Sequence, residues 1–471
     1  MNRVPPSGSA GAPGPGLDSL PESLREVATV LLAAGHDAYL VGGSLRDLLL
    51  GRTPADWDLA TSAHPDQVRS LFPAVIPTGE RHGTMTIIAP DRAYEVTTLR
   101  EDGVYSDMRR PDRVDFTRDV KRDLERRDFT INAMALDMAS GELIDPAGGQ
   151  EDLARRRVRA VGDPDLRFGE DALRVLRAAR FAAQLEFQIA ESTRAAMARS
   201  AAGVTRIAAE RIQKELLFLL DAERPSRGLS LLHSTGVLVI VMPELVEGVG
   251  VTQNRYHRYD VFTHALFACD EVRAGRRRVR LAALLHDVAK PRARQLVGGE
   301  GTFYGHDKLG AELVDAMLRR LRFANDDREV VVRLVRHHLF EYREEWSDAA
   351  VRRFIRRVGE DLIPDLFALR LADARAAGYT PAAPASLARL RERIEGAVAD
   401  RERGMPLHLA VDGQDVMAVL GLDPGPAVGK WLARLWEAVL EDPGLNTRER
   451  LLAFVVSRAR EDTSPAPGSK R

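Results

Sequence analysis

The stretch "YLVGGSLRDLLLGRTPADWDLAT", Tyr39–Thr61, joins an apolar run to two adjacent glycines, an Arg46-Asp47 pair and two carboxylates, Asp56 and Asp58. An apolar run that breaks at Gly42-Gly43 into a helix-like segment from Ser44 predicts a strand, a tight turn and a helix N-terminus. Backbone amides at such a turn approach a phosphate without side-chain obstruction. On a strand, side-chain direction repeats every two residues, so Asp56 and Asp58 are expected on one face. Two hard oxygen ligands side by side suit Mg²⁺, which binds carboxylates together with substrate phosphate oxygens. A pair of such ions activates an attacking hydroxyl and stabilises a leaving pyrophosphate. A glycine pair alone is an ordinary turn and a lone Asp-x-Asp an ordinary solvated loop. Their order here is the one in which nucleotidyl transfer needs its phosphate cradle and its metals.

The rest of the chain gives that motif a setting. With 471 residues there is room for roughly three domains. The low aromatic share and abundant Ala, Leu and Arg favour helix over strand. A net charge of −1 means that any nucleic-acid surface must be local rather than global. The single cysteine, Cys269, excludes an internal disulfide framework and suits a reducing compartment. No apolar run is long enough to span a bilayer, and the N-terminus lacks a secretory signal, so no membrane association and a cytoplasmic location are expected.

The Pro/Gly/Ser-rich residues 1–17 and the tail 461–471 cannot bury enough apolar surface to order themselves. Residues 18–150 mix short β-prone runs with helical patterns, which predicts an α+β head. Residues 151–250 and 251–460 read as helical. "QNRYHRYDVF" is the expected junction between the two helical regions. No solenoid repeat or sustained heptad occurs.

Five ordered motifs then resemble the class II tRNA nucleotidyltransferase and bacterial poly(A) polymerase family. They are "GGSLRDLLLGR…DWDLAT", "DLERRDFTINAMA", "IDPAGGQEDL", "VGDPDLRFGEDALRVLRAARFAAQLEF" and "ERIQKELLFLL". The resemblance implies a DNA polymerase β-like head with a mixed sheet, followed by an all-α neck, body and HD-type tail. It makes Asp56 and Asp58 the catalytic Mg²⁺ ligands, with Glu95 in "AYEVTT" a candidate third carboxylate, and makes Gly43, Arg46 and Arg127 contacts to the incoming nucleotide. Guanidinium forks suit phosphate oxygens or a base edge. In "EDALRVLRAAR", a helix would put Asp171 and Arg174 one turn apart, presenting acceptor and donor edges together. The resemblance implies that this pair selects C or A, with Arg177 and Arg180 continuing down the same side toward triphosphate or base. Phe129, Ile131, Leu173, Leu176 and Phe181 are left for the core. The loop "REDGVYSDMRRPDRVDF" corresponds to one that reshapes the pocket between CTP and ATP, although Met108 stands where many relatives have Gly.

A second constellation, His264, His286-Asp287 and Asp373, resembles the HD phosphohydrolase superfamily. The resemblance implies a divalent metal there. His306 in "FYGHD" and His337 in "VRHHL" are candidates for extending it to a second ion. The arginines of "AVRRFIRRV" are either an RNA contact or a solvated helix face.

The reaction implied is template-independent addition of CMP and AMP from CTP and ATP to the tRNA 3′ end, completing CCA. Poly(A) synthesis and addition of CC or A alone are variants within the family. An HD phosphohydrolase with a nucleotide-sensing head is the alternative from another class. Oligomeric state is not legible in the chain.

Overall fold

Ala38–Val41 (β1) is buried on both faces, as a continuous apolar run requires of a central strand. The computed structural model describes residues 16–80, 83–103, 114–253, 258–297, 300–377, 383–402 and 408–463. Among these the chain is α+β, with one large sheet near the N-terminus and helices beyond it. The further strands are β2 (Asp58–Thr61), β3 (Val75–Gly79), β4 (Thr84–Ile88), β5 (Ala93–Thr98), β6 (Arg100–Asp102), β7 (Val114–Phe116), β8 (Ala135–Asp137) and β9 (Leu143–Ile144). Seven of them form a mixed sheet in the order β3-β4-β5-β2-β1-β8-β9, in which only β2 and β5 run parallel. Helix α1 (Glu22–Ala33) buries Leu24, Val27, Ala28 and Leu31, a three-four spacing that turns one apolar stripe onto the core.

Register places the chemistry. Val41 pairs with Asp58 across β1 and β2, and Asp58 pairs with Glu95 across β2 and β5. The glycine turn and both strand carboxylates therefore meet at one end of the sheet. Helix α2 (Gly42–Leu49) begins at Gly42, two residues earlier than the sequence suggests. Gly42 is in the left-handed region at φ +71°, and a Cβ on it would lie 3.3 Å from Arg127 and 3.4 Å from Asp58.

The "IDPAGGQEDL" segment serves the same end of the head. Asp145 accepts from the amides of Gly149 and Gln150 at 2.7 and 2.9 Å, starting a helix (Gly149–Ala154) that packs on the turn Thr130–Asn132. Inside it, buried Asp152 accepts from Thr130 Oγ1 at 2.7 Å and pairs with Arg157 and Arg159. A Cβ at Gly149 would sit 2.3 Å from the Thr130 carbonyl oxygen, so no other residue fits without moving that turn.

Beyond the head come the helices Pro164–Glu170, Leu173–Gln184, Ala209–Leu220 and Pro225–Ser234, the second packed against the last two. Arg280, fully buried, hydrogen-bonds through Nη1 to the carbonyls of Leu220 and Ala222 and through Nε to Val272 at 2.8 Å. It thereby fastens the next bundle to the C-terminal end of Ala209–Leu220. One core runs without a break from Leu20 to Ile394, whereas Val411 to Val455 make a core of their own. Arg352 and Arg353 of "AVRRFIRRV" reach this last module: Arg352 donates to the Leu440 carbonyl at 2.8 Å, and Arg353 pairs with Glu441 at 2.7 Å. Their positive charge is spent on a contact between helices.

Residues 1–15 of the expected leader, residues 464–471 of the tail, residues 104–113 of the Met108 loop and part of "QNRYHRYDVF" lie outside the described residues. Two ends differ from expectation. A short 3₁₀ turn begins at Leu17, and the last helix, Arg448–Thr463, runs three residues into the segment expected to be disordered. β6 and β7, which flank the Met108 loop, pair with each other outside the main sheet.

Gly149→Ala is expected to destabilise the protein by about 1–3 kcal/mol through overpacking. A fall in the denaturant midpoint at unchanged m-value measures it.

Candidate active site

The two aspartates do not lie on one strand. β2 starts at Asp58, and Asp56 occupies the bend just before it. Trp57, 5% exposed, is driven into the core between them, and both carboxylates still border the same cavity. Burial, and then the Glu95 carboxylate on the neighbouring strand, lifts Asp58 to about 6 against the pull of Arg127 and Arg46. Desolvation and a like charge close by both disfavour the ionised form of this carboxyl.

Every residue singled out for nucleotidyl transfer, in head and neck, borders one cavity of about 810 Å³: Gly43, Arg46, Asp56, Asp58, Glu95, Arg127, Asp171, Arg174, Arg177 and Arg180. Arg46 lies over Gly43 and donates to Asp47 at 2.9 Å and to Asn132 Oδ1 at 2.9 Å. Arg126 and Arg127 share buried Asp123, at 2.7 and 3.1 Å. Phe129 and Ile131 are wholly buried, so they pack the core rather than meet a base.

On the opposite wall, Asp171 is not in mid-helix. It ends Pro164–Glu170 in an extended conformation, and its Oδ1 accepts from the Leu173 amide at 3.0 Å, which starts the next helix. Asp171 and Arg174 thus have separate partners. Asp171 Oδ2 accepts from Arg211 at 2.6 Å, while Arg174 pairs with Glu170 and donates to the carbonyls of Arg167 and Arg126. Arg177 pairs with Asp128 at 2.6 Å and Arg180 with Glu215 at 3.0 Å. Burial alone would raise Asp128, but Arg177 and Asn132 outweigh it and hold the carboxyl at about 2. Burial and the neighbouring Arg177 charge bring Arg180 down to about 10.

Sequence reasoning missed Asp128, Glu170, Arg211 and Glu215, the acids and base that hold the pocket's charges in place. Arg211 and Glu215 stand four apart in "ERIQKEL", a spacing that puts both on one helix face and could have marked them.

In the helical bundle, His264, His286 and Asp373 form one group of ligand atoms within 4.8 Å of one another, and Asp287, His306 and His338 form a second. The histidine beside the cluster is His338 and not His337: a one-residue change of helix position turns the side chain by about 100°. Burial presses the His286 imidazole down, yet Asp287 and Asp373 outweigh it and lift it to about 10, so the carboxylates here demand positive charge.

Residues 38–159 match the poly A polymerase head domain, residues 186–248 the probable RNA and SrmB-binding site of polymerase A, and residues 255–378 the HD domain. The CCA-adding enzyme of Levilactobacillus brevis is 49% identical over 224 residues, covering 47% of this chain and 56% of that one. The A-adding tRNA nucleotidyltransferase of Deinococcus radiodurans is 38% identical over 454 residues, 92% of this chain and 97% of the relative. The crystal structure of the Bacillus stearothermophilus CCA-adding enzyme in complex with CTP superposes with a TM-score of 0.71 at 30% identity, covering 94% of this chain and 98% of that one.

Asp128→Asn is expected to cost about 2 kcal/mol of stability. That is less than the roughly 3–5 kcal/mol of a wholly buried pair, because a third of the Arg177 side chain stays exposed. The folded carboxyl lies below its ordinary value of 3.8, so this contribution is present above about pH 4 and is lost as pH falls through about 2. Denaturant midpoints of the two proteins should differ at neutral pH and converge in acid.

Proposed function

The chain belongs to the tRNA nucleotidyltransferase and poly(A) polymerase family, and from that premise we propose that it adds CMP and AMP from CTP and ATP to the tRNA 3′ end to complete CCA. The observation that carries this reading is the single cavity shared by the Asp56 and Asp58 carboxylates, the glycine turn and the neck arginines. Carboxylates alone would serve many hydrolases; carboxylates facing a row of guanidinium groups and an Asp171 edge suit a nucleoside triphosphate held by both ends. With tRNA and nucleoside triphosphates as substrates, the reaction belongs in the cytoplasm.

Asp56, Asp58 and the exposed Glu95 offer an all-oxygen donor set that fits Mg²⁺. A pair of such ions, when bound, supplies charge neutralisation at the attacking and leaving oxygens. The chain's own residues do the rest. The Gly42-Gly43 turn lets the triphosphate approach the backbone, and Arg46 and Arg127 balance its charge. Asp171 and Arg174, each fixed by its own partner, present an acceptor and a donor edge to the incoming base. The 3′ hydroxyl gives its proton to solvent as its oxygen bonds to the α-phosphorus, the α–β bridging P–O bond breaks, and pyrophosphate leaves with the electron pair. Most of the rate comes from positioning and electrostatics.

A second reading, addition of the terminal A alone, is favoured by the Deinococcus radiodurans relative, which matches nearly the whole chain at 38% identity. Extension of tRNA lacking CCA, tRNA ending in CC and an unstructured RNA, with CTP and ATP singly and together, separates the readings. Additions that stop at CCA support the first. Extension of the CC-ended tRNA alone supports the second, and long A tails on unstructured RNA would make the chain a poly(A) polymerase.

Asp56→Ala is expected to lower incorporation by more than the roughly 10–100-fold that loss of an outer ligand partner costs; retained incorporation would remove Asp56 from the mechanism. Because Asp58 titrates near 6 and must be ionised to bind a cation, apparent Mg²⁺ affinity should fall about tenfold per pH unit below that value and level off above roughly pH 7. Mg²⁺ titrations of incorporation across that range test it.

A further inference from the structure

We propose that the open face of strands β3, β4 and β5 seats the single-stranded 3′ end of the tRNA, an inference that rests on nucleotidyl transfer at Asp56 and Asp58. Register lays this face out. Asp58 pairs with Glu95, Glu95 with Thr86 and Thr86 with Ile76, so one row of side chains crosses β2, β5, β4 and β3. Paired residues share a face, and direction alternates along each strand. Tyr94, Val96, Met85 and Ile87, at most 3% exposed, turn to the core, which leaves Glu95, Thr97, Thr84 and Ile88 on the other side. Thr84, Glu95 and Thr97 border the same cavity as the two aspartates. Farther along the face, Ile88 and Ile76 are 44% and 51% exposed, large apolar side chains open to solvent beside a polar cavity.

Strand order separates the two substrates. Asp58 on β2 has the Gly42-Gly43 turn at the end of β1 to one side and Glu95 on β5 to the other. The cations gather on the glycine side: Arg46, which lies over Gly43, shares the Phe181 ring with Arg177 and Arg180, at 5.3, 5.4 and 4.4 Å from its centre. In phosphoryl transfer the attacking and leaving oxygens stand roughly in line across the phosphorus. With pyrophosphate leaving toward the glycine turn and its guanidinium groups, the 3′ hydroxyl arrives from the β5 side.

The side chains there suit sugars and bases rather than a second triphosphate. β3, β4 and β5 contain no lysine or arginine. The hydroxyls of Thr84 and Thr97 lie 3.1 Å apart and those of Thr78 and Thr86 2.9 Å apart. A hydroxyl has one donor and two acceptor positions, so each pair keeps a donor and acceptors for a ribose 2′-hydroxyl. Ile76 and Ile88 offer apolar surface to the faces of unpaired bases. Three strand spacings carry the row about 14 Å from Asp58, the length of about four stacked nucleotides at about 3.4 Å each.

The test is steady-state extension by the full chain of tRNA lacking CCA with CTP and of tRNA ending in CC with ATP, beside nucleotide binding to the protein without tRNA. Ile76→Asp and Ile88→Asp, both at exposed positions, set a negative charge against the RNA strand. Each is expected to raise the tRNA KM about tenfold while nucleotide binding stays within about twofold. Replacing the last two riboses of the tRNA by 2′-deoxyriboses should raise the KM of the unmodified chain and have no further effect in the double variant Thr84→Val, Thr97→Val. An unchanged tRNA KM in both aspartate variants, or a deoxyribose effect that the valine variant keeps in full, overturns the proposal. If the unmodified chain extends neither tRNA, the reading of the head falls and this inference with it; extension with an unchanged tRNA KM removes this inference alone. Should an aspartate variant lose nucleotide binding and so report a folding defect, the deoxyribose comparison decides.

Discussion

The pocket depends on one buried carboxylate at the seam between head and neck. Asp128 accepts from the Phe129 amide at 2.8 Å, from Asn132 Nδ2 at 3.2 Å and from Arg177 across the seam at 2.7 Å. Asn132 in turn accepts from Arg46, so the helix that opens at the glycine turn is tied through two side chains to the neck. On the far side Arg177 stands 3.9 Å from Glu215, which pairs with Arg180. Remove the carboxylate and Arg177 would be left with Glu215 at 3.9 Å, an acid that Arg180 already holds.

This network explains why so many arginines gather around the cavity in a chain of almost neutral charge. Each has an acid that holds its fork in a chosen direction before substrate arrives: Glu170 for Arg174, Asp128 for Arg177, Glu215 for Arg180 and Asp123 for Arg127. Such preorganisation lowers the ordering cost of binding a triphosphate and keeps the cations from collapsing onto the open carboxylates at Asp56 and Asp58.

The two candidate metal centres differ for physical reasons. In the head, Asp56 and Glu95 are exposed at the mouth of a cavity, where any bound ion would share its coordination with substrate oxygens. In the bundle, His264, His286 and Asp287 are at most 2% exposed and the donors are mostly nitrogen. There the protein itself must supply the coordination sphere. Buried Arg280 between bundle and neck, and half-buried Arg352 on the last module, both donate to backbone carbonyls at helix ends, where orphan acceptors lie.

Local order was legible. The glycine turn, the strand-to-helix changes, the apolar core at Phe129 and Ile131 and the adjacent His286-Asp287 follow from residue chemistry and period, because these features are decided by neighbours along the chain. What needed the tertiary structure was every pairing across it. Asp128, Glu170, Arg211 and Glu215 look like ordinary surface charges until the neck folds against the head. Asp171 reads as a helical residue until it is seen capping the next helix, and His337 cannot be told from His338 until the bundle fixes which way that helix end faces. The sequence by itself determined which chemistry was at hand, through the kinds of side chain and their spacing. Only tertiary structure decided which charges meet, because a partner tens of residues away leaves no periodic trace in the chain.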